Sequence, residues 1–179
     1  MKHHSAWMAQ SHVITPLGPM LVVATSQGLA GAWFEGQAHH PGPLTLPHDA
    51  DAAIFKATQE ALSTYFEAPH KATFKLALDP QGTAFQLAVW QQLLQIPVGH
   101  TSHYGALAQA LGKPQAARAV GAAVGRNPVS IFIPCHRVLG RDGSLTGYAG
   151  GLARKQALLS AEGAGGVAPV QPTVQAWTG

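Results

Sequence analysis

An α+β fold in two parts is predicted for this chain of 179 residues. Three observations carry the prediction. Near the start, three short segments rich in Val, Ile and aromatic residues are separated by Pro and Gly turns, the pattern of a small antiparallel sheet. Beyond Gly82 the apolar spacing becomes helical and is punctuated by caps and breakers. A content of 46% hydrophobic residues is enough to build a core in one ordinary domain or two small ones.

The predicted strands are Ser11–Thr15, Met20–Thr25 and Leu29–Glu35, split by Pro16-Leu17-Gly18-Pro19 and by Ser26-Gln27-Gly28. After a Pro/Gly/His stretch over 38–48, Asp49 is the expected cap of a helix to about Phe66, with Ile54, Phe55, Thr58, Leu62, Tyr65 and Phe66 on its apolar face. Thr73–Leu78 is expected to return as a strand. Asp79-Pro80-Gln81-Gly82 then breaks the pattern and divides an N-terminal α/β domain, 1–81, from a second domain, 82–163.

In the second domain, Thr83 caps a helix with Phe85, Val89, Leu93, Leu94 and Ile96 on one side, stopping before Pro97. Ser102 is the expected cap of the next helix, which runs to about Leu111 with Leu107 and Leu111 inward. Gly112 stands where a left-handed residue closes a helix and Pro114 where a helix begins, so two short helices meet at Gly112-Lys113. That spacing suits a helix-turn-helix whose second helix, 114–124, carries Arg118. Helices joined by a Gly turn also occur in bundles that bind no nucleic acid. Val129–Ile133 is a short apolar run, Gly140-Arg141-Asp142-Gly143 a turn, and Leu152–Ala161 a last helix. Residues 164–179 are small, Pro-containing and uncharged, and a disordered tail is expected there.

Charge is divided unevenly. Residues 1–82 carry four bases and six acids, whereas 83–179 carry seven bases, Lys113, Arg118, Arg126, Arg137, Arg141, Arg154 and Lys155, against only Asp142 and Glu162. Such a basic half suits a polyanionic partner, although a charge excess by itself more often serves solubility. No run approaches the roughly 18 apolar residues of a membrane span, and the first residues lack the apolar core of a signal peptide, so a cytoplasmic location is expected. One cysteine permits neither an internal disulfide nor a cysteine-based zinc finger. His3/His4 and His39/His40 lie in loop-like sequence without helical spacing, so no metal is expected there.

Cys135 is therefore either inert or chemically used. A free thiol is only a few per cent ionised at neutral pH, and the adjacent His136 can accept its proton. Neighbours on an extended strand point apart, so the pair can cooperate only if the chain turns sharply or a water bridges them. A random Cys-His pair would more often be a buried structural thiol beside a solvated imidazole.

This pair is set in a longer pattern. Ile133-Pro134-Cys135-His136-Arg137-Val138, preceded by Arg118-Ala119-Val120-Gly121 and Asn127-Pro128 and followed by a Gly-Tyr and a Glu-Gly, closely resembles the O6-alkylguanine-DNA alkyltransferases from about Gly82 to Gly163. The resemblance implies an N-terminal ribonuclease H-like domain and a C-terminal helical domain with a helix-turn-helix and an active-site loop. It further implies direct reversal of damage: the alkyl group on O6 of guanine, with O4 of thymine as a second candidate position, moves irreversibly to Cys135, consuming one protein per lesion. His136 would take the thiol proton through a water, Glu162 would hold His136 in the useful tautomer, and Asn127 would tie the recognition motif to the active-site loop.

A stacked base cannot present its O6 substituent to a sulfur in a pocket, so base flipping is required. Arg118 matches the arginine that fills the vacated space, and Tyr104 the residue that crowds the target phosphate and protonates the departing guanine. Ala119, Gly121, Arg126 and Lys113 complete the expected DNA contacts. Tyr148, Val138, Ala149 and Gly150 would line the substrate pocket, glycine allowing backbone to approach base. Ala149 stands where some relatives have Ser, and His103 precedes Tyr104 where Ser or Thr is frequent. The expected partner is double-stranded DNA carrying O6-alkylguanine, met from the minor groove, so the protein would be nucleoid-associated when bound. Neither a cofactor, a metal nor an obligate protein partner is implied. Two readings compete: a non-catalytic sensor of alkylated DNA, whose known examples lack the cysteine, and a cysteine hydrolase, which would leave Arg118 and the basic half without purpose.

Overall fold

The computed structural model describes residues 5–164 and the backbone of 166–167, and the chain divides into two compact units. One comprises Met1–Gln81 with Pro128–Phe132, the other Gly82–Asn127 with Ile133 onward. His3/His4 and most of 164–179 lie outside the described residues.

In the first unit, strands β1 (Ala9–Thr15), β2 (Gly18–Ala24) and β3 (Leu29–Phe34) form an antiparallel sheet in sequence order, with Val13 opposite Met20 and Val22 opposite Ala32. Helix α1 (Ala53–Glu67) turns Phe55, Thr58, Leu62 and Tyr65 inward. The amide of Gln59 on α1 accepts from Ile14 N–H at 2.9 Å and donates to Ile14 O at 3.0 Å, which blunts the open edge of β1. Asp49 is not the helix cap. Its Oδ1 accepts from the N–H groups of Asp51 and Ala52, a local turn, and the helix starts three residues later, behind Ala52, with no side-chain cap.

Thr73–Leu78 forms no regular strand. It meets β3 at a single bridge, Leu29 to Leu78, where Leu29 N–H donates to Ala77 O and Asp79 N–H to Leu29 O. Gly28 makes that approach possible, because a Cβ there would lie 2.4 Å from Ala77 O. The apolar run 129–133 is likewise no strand. Pro128–Phe132 joins the first unit through Ala32 N–H to Pro128 O (2.8 Å), Ser130 N–H to Ala32 O (2.9 Å) and the Phe74 and Phe132 rings, 4.7 Å apart. Ile131 is held at φ 73°, a strained position for a β-branched residue.

The second unit opens with α2 (Ala84–Leu94). Thr83 and Gln86 form a reciprocal capping box. Val89, Leu93 and Ile96 are buried as their spacing requires, while Leu94 is 38% exposed because it falls on the opposite side. Trp90 is buried instead, its indole N–H donating to Ala123 O at 2.9 Å. A Trp90→Phe substitution should cost about 1 kcal/mol through this bond alone; thermal unfolding should show a Tm lower by roughly 3 °C.

Ser102 does not cap a helix. It lies inside a short strand, β4 (His100–His103), and His103 caps α3 (Tyr104–Ala110). Helix α3 closes as expected at Gly112, with φ 67°, Lys113 N–H reaching Ala108 O and Gly112 N–H reaching Gln109 O. Pro114–Ala116 makes a 3-10 turn before α4 (Ala117–Gly125). Then come a 3-10 turn at Cys135–Arg137, strand β5 (Val138–Leu139) and helix α5 (Leu152–Ala161). Strand β6 (Gly166–Val167) lies within the expected tail, yet its backbone pairs in parallel with His100 and Thr101, leaving β4 between β5 and β6.

Candidate active site

Within the second unit, Asn127 just beyond α4, the Cys135 turn, the loop before α5 and the end of α5 converge. The sharp turn that an adjacent Cys-His pair needs is present, since Cys135–Arg137 is a single 3-10 turn entered through Pro134. All three side chains are buried. Asn127 Nδ2 donates to Ile133 O at 2.8 Å and to Cys135 Sγ at 3.0 Å. Burial pushes the Cys135 thiol up to about 11, opposed by the Asn127 hydrogen bond and the Lys155 charge. Near neutral pH the resting group is a thiol, and its proton needs an acceptor when sulfur attacks.

His136 can be that acceptor. Its Nε2 lies 2.8 Å from Glu162 Oε1, and because a carboxylate only accepts, Nε2 carries the hydrogen. Nδ1 is then the bare nitrogen, buried and without a hydrogen-bond partner among the described residues. Burial lowers the pKa of His136, against the pull of Glu162, so the ring is neutral near pH 7.

Arg137 grips the same carboxylate. Its Nε donates to Oε2 and its Nη2 to Oε1, both at 2.9 Å, while Nη1 donates to Ile96 O at 2.6 Å. Burial alone would raise the Glu162 pKa, but the hydrogen bonds and charges of His136 and Arg137 outweigh it and hold the carboxyl well below the usual range. The buried charge is thus ionised and fully engaged.

Lys155 is also completely buried, and its Nζ donates to Val138 O at 2.5 Å and Thr146 O at 2.6 Å, tying β5 to the loop. Burial brings its pKa down to about 8. The unfolded value is about 10.4, so between the two the unfolded chain binds more protons and stability rises with pH. Lys155→Met should remove that slope. Against the variant, the wild type should gain roughly 3 kcal/mol between pH 8 and 10.4 in thermal unfolding run at stepped pH.

Tyr104 starts α3 and its hydroxyl donates to Thr146 O at 3.3 Å, with Gly147 O at 3.5 Å. Burial raises its pKa, so the phenol keeps its proton. Its ring lies against Gly121, where a Cβ would make ordinary contact at 3.6 Å. Tyr148 stands edge-on to His136 with ring centroids 6.5 Å apart. A Cβ at Gly150 would meet the Tyr148 ring at 2.6 Å, so any other residue there would displace the ring. Ala149 is half-buried beside them, and Val138 is fully buried, its carbonyl accepting from Lys155 Nζ.

Lys113, Arg118, Ala119 and Arg126 are exposed on and around α4, and Gly121 is half-buried. The charge count misassigned two bases: Arg137 and Lys155 are interior groups, unavailable to a polyanion. The surface excess rests on Lys113, Arg118, Arg126 and Arg141, with Arg154 half-buried. The Arg137 fork and the Lys155 tie have no signal in spacing; both were legible only as positive charge. Among the described residues, no group of three His, Cys, Asp or Glu side chains is placed to hold a metal ion, and no helix is long and apolar enough to cross a membrane.

Known proteins resemble this chain along most of its length. Residues 84–164 match the sequence model of the 6-O-methylguanine DNA methyltransferase, DNA binding domain. The methylated-DNA–protein-cysteine methyltransferase of Haemophilus influenzae is 41% identical over 83% of this chain and 82% of its own length. That of Mycobacterium tuberculosis is 43% identical over 83% of this chain and 88% of its own. Among solved structures, Mycobacterium tuberculosis OGT in complex with DNA superposes with a TM-score of 0.78 at 39% identity, covering 87% of this chain and 93% of that one. With a lone buried cysteine, its hydrogen-bonded asparagine and a His–Glu pair behind it, this chain belongs to the methylated-DNA–protein-cysteine methyltransferase family.

Proposed function

We propose that the protein repairs DNA by transferring the alkyl group of O6-alkylguanine to Cys135 in a single, irreversible turnover. The observation that carries the reading is the linked set Asn127, Cys135, His136 and Glu162: a thiol held by a donor, beside a neutral imidazole whose far nitrogen is fixed by a carboxylate. The carbon–sulfur bond forms as the carbon–O6 bond breaks. The thiol proton passes through water to His136 Nδ1, the departing guanine takes a proton from the Tyr104 hydroxyl, and the imidazolium then returns its proton through water to the Tyr104 phenolate, so the net movement is one proton from sulfur to guanine. A thioether has no good leaving group, and the sequence holds no second cysteine to release it.

The α3–Gly112–α4 segment would act as a helix-turn-helix at the minor groove, with Arg118 filling the space of the flipped base and Lys113 and Arg126 meeting phosphates. The closing Schellman turn at Gly112 and the exposure of these three bases support that assignment. The catalytic and DNA-binding domain would span 82–163, behind an N-terminal domain, 1–81, whose sheet followed by α1 is compatible with a ribonuclease H-like origin. A non-catalytic sensor is not favoured, because such a protein has no use for a thiol with this hydrogen-bonded support.

Intact mass after incubation with duplex DNA bearing one O6-methylguanine tests the reading. One methylene should be gained per molecule, mapped to Cys135 and resistant to alkaline hydroxylamine. Binding with no mass gain would leave a lesion sensor, and a hydroxylamine-labile adduct would indicate a thioester and a hydrolase.

A further inference from the structure

We propose that His103 is a positioning residue for alkyl transfer, an imidazole N-cap that holds Tyr104 in place only while it is unprotonated. The inference rests on the role given to Tyr104 above. His103 ends β4, paired with Leu139 of the strand that leaves the Cys135 turn, and caps α3. Its Nδ1 accepts from Ala106 N–H at 3.1 Å. The ring lies close over the first turn, since a Cβ at Gly105 would sit 3.3 Å from Nδ1. Tyr104 is the next residue, and its hydroxyl reaches the loop carbonyls of Thr146 and Gly147. The side chain that sets where α3 begins therefore also sets where the phenol points.

Ser, Thr and Asn caps do not titrate near neutrality. An imidazole cap carries a basic nitrogen and can take up a proton. Once protonated, both ring nitrogens donate, Nδ1 can no longer accept from Ala106, and a cation stands at the positive end of the helix dipole. The elements packed most extensively against β4 and α3 are β5, β6, α2, α4, the 3-10 turn before α4 and the Cys135 turn. Together with β4 itself, α3 and the Gly112-Lys113 turn they carry His100, Tyr104, Lys113, Arg118, Cys135, His136 and Arg137, and no carboxylate. Glu162, the acid that meets the Cys135 turn, is occupied by His136 and Arg137. Among these elements nothing offsets a charge on His103.

The test is the single-turnover transfer rate to O6-methylguanine duplex DNA for wild type, His103→Ser and His103→Ala from about pH 8 down to about pH 5.5, the span in which imidazoles titrate. His103→Ser keeps a cap that does not titrate. The ratio of its rate to that of wild type should rise roughly fivefold across this range, the factor corresponding to a lost N-cap of ordinary strength. His103→Ala should be slower than wild type by a similar factor at pH 8. The acid limb contributed by His136 is common to all three proteins and divides out. A ratio that does not change with pH overturns the proposal, as does an alanine variant as fast as wild type at the upper pH. Repeating the series in Tyr104→Phe separates this inference from the one beneath it. The pH dependence of the ratio should vanish there, and its persistence overturns action through Tyr104. Undiminished transfer by Tyr104→Phe itself would instead remove the proton-donor role assigned to that phenol.

Discussion

Cys135→Ser should reduce alkyl transfer below detection while leaving the fold and DNA affinity in place. The hydroxyl fits the site and can still accept from Asn127 Nδ2, which in the native protein donates to sulfur at 3.0 Å. What is lost is nucleophilicity: a hydroxyl ionises far above a thiol, and a neutral imidazole is a poor base for it when the electrophile is an unactivated alkyl carbon. Exchanging a buried thiol for a hydroxyl costs about 1 kcal/mol at most here, because a donor is already present. DNA affinity should stay within roughly twofold, since phosphate contacts rather than the thiol supply it. The measurements are intact mass, thermal unfolding and duplex binding on one preparation. Residual transfer to serine, or transfer at another residue, would displace Cys135 as acceptor.

Glu162→Gln should damage stability and chemistry together, and more than any other isosteric change in this site. The amide can still accept from His136 Nε2, but it carries no charge to balance the Arg137 guanidinium, which is buried and forked onto the native carboxylate. Leaving a buried cation uncompensated costs about 3–5 kcal/mol. For a chain of this length that lowers Tm by on the order of 10 °C. Transfer should slow by on the order of a hundredfold to ten-thousandfold, the range that acid–base support contributes, as His136 loses the charge that stabilises its protonated form.

The pH dependence has a definite sign. Glu162 is held below the usual carboxylate range, so its contribution is fully present above the unfolded value of about 4.3 and is lost as pH falls through its lower folded value. In acid unfolding the wild type should therefore lose its advantage over Glu162→Gln below about pH 4. An advantage that persisted to strong acid would mean that the ion pair is not the source of the difference.

The comparison of sequence and structure separates local signals from distant ones. Gly112 and the Thr83–Gln86 box were readable because caps act through three or four neighbouring residues, whose chemistry is visible in order along the chain. Ser102 misled for the same reason. As a Ser before a helical run it has the chemistry of a cap, but pairing of β4 with Val138 and Leu139, over thirty residues away, draws Ser102 into a strand and hands the cap to His103. Asp49 was displaced instead by its own local turn.

The site divides similarly. The nucleophile, its neighbouring base, the asparagine and the terminal glutamate stood out in the residue pattern, because chemistry restricts which side chains can serve. That Arg137 shares the carboxylate of Glu162, and that Lys155 is a buried tie between two carbonyls, could not be read from order, because a charge along a chain carries no mark of burial. Nor could the return of Pro128–Phe132 into the first unit, with Ile131 held at φ 73°. Motif chemistry is local and survives as a string of letters; burial, charge pairing and strand exchange arise only when segments far apart in sequence exclude water from one another.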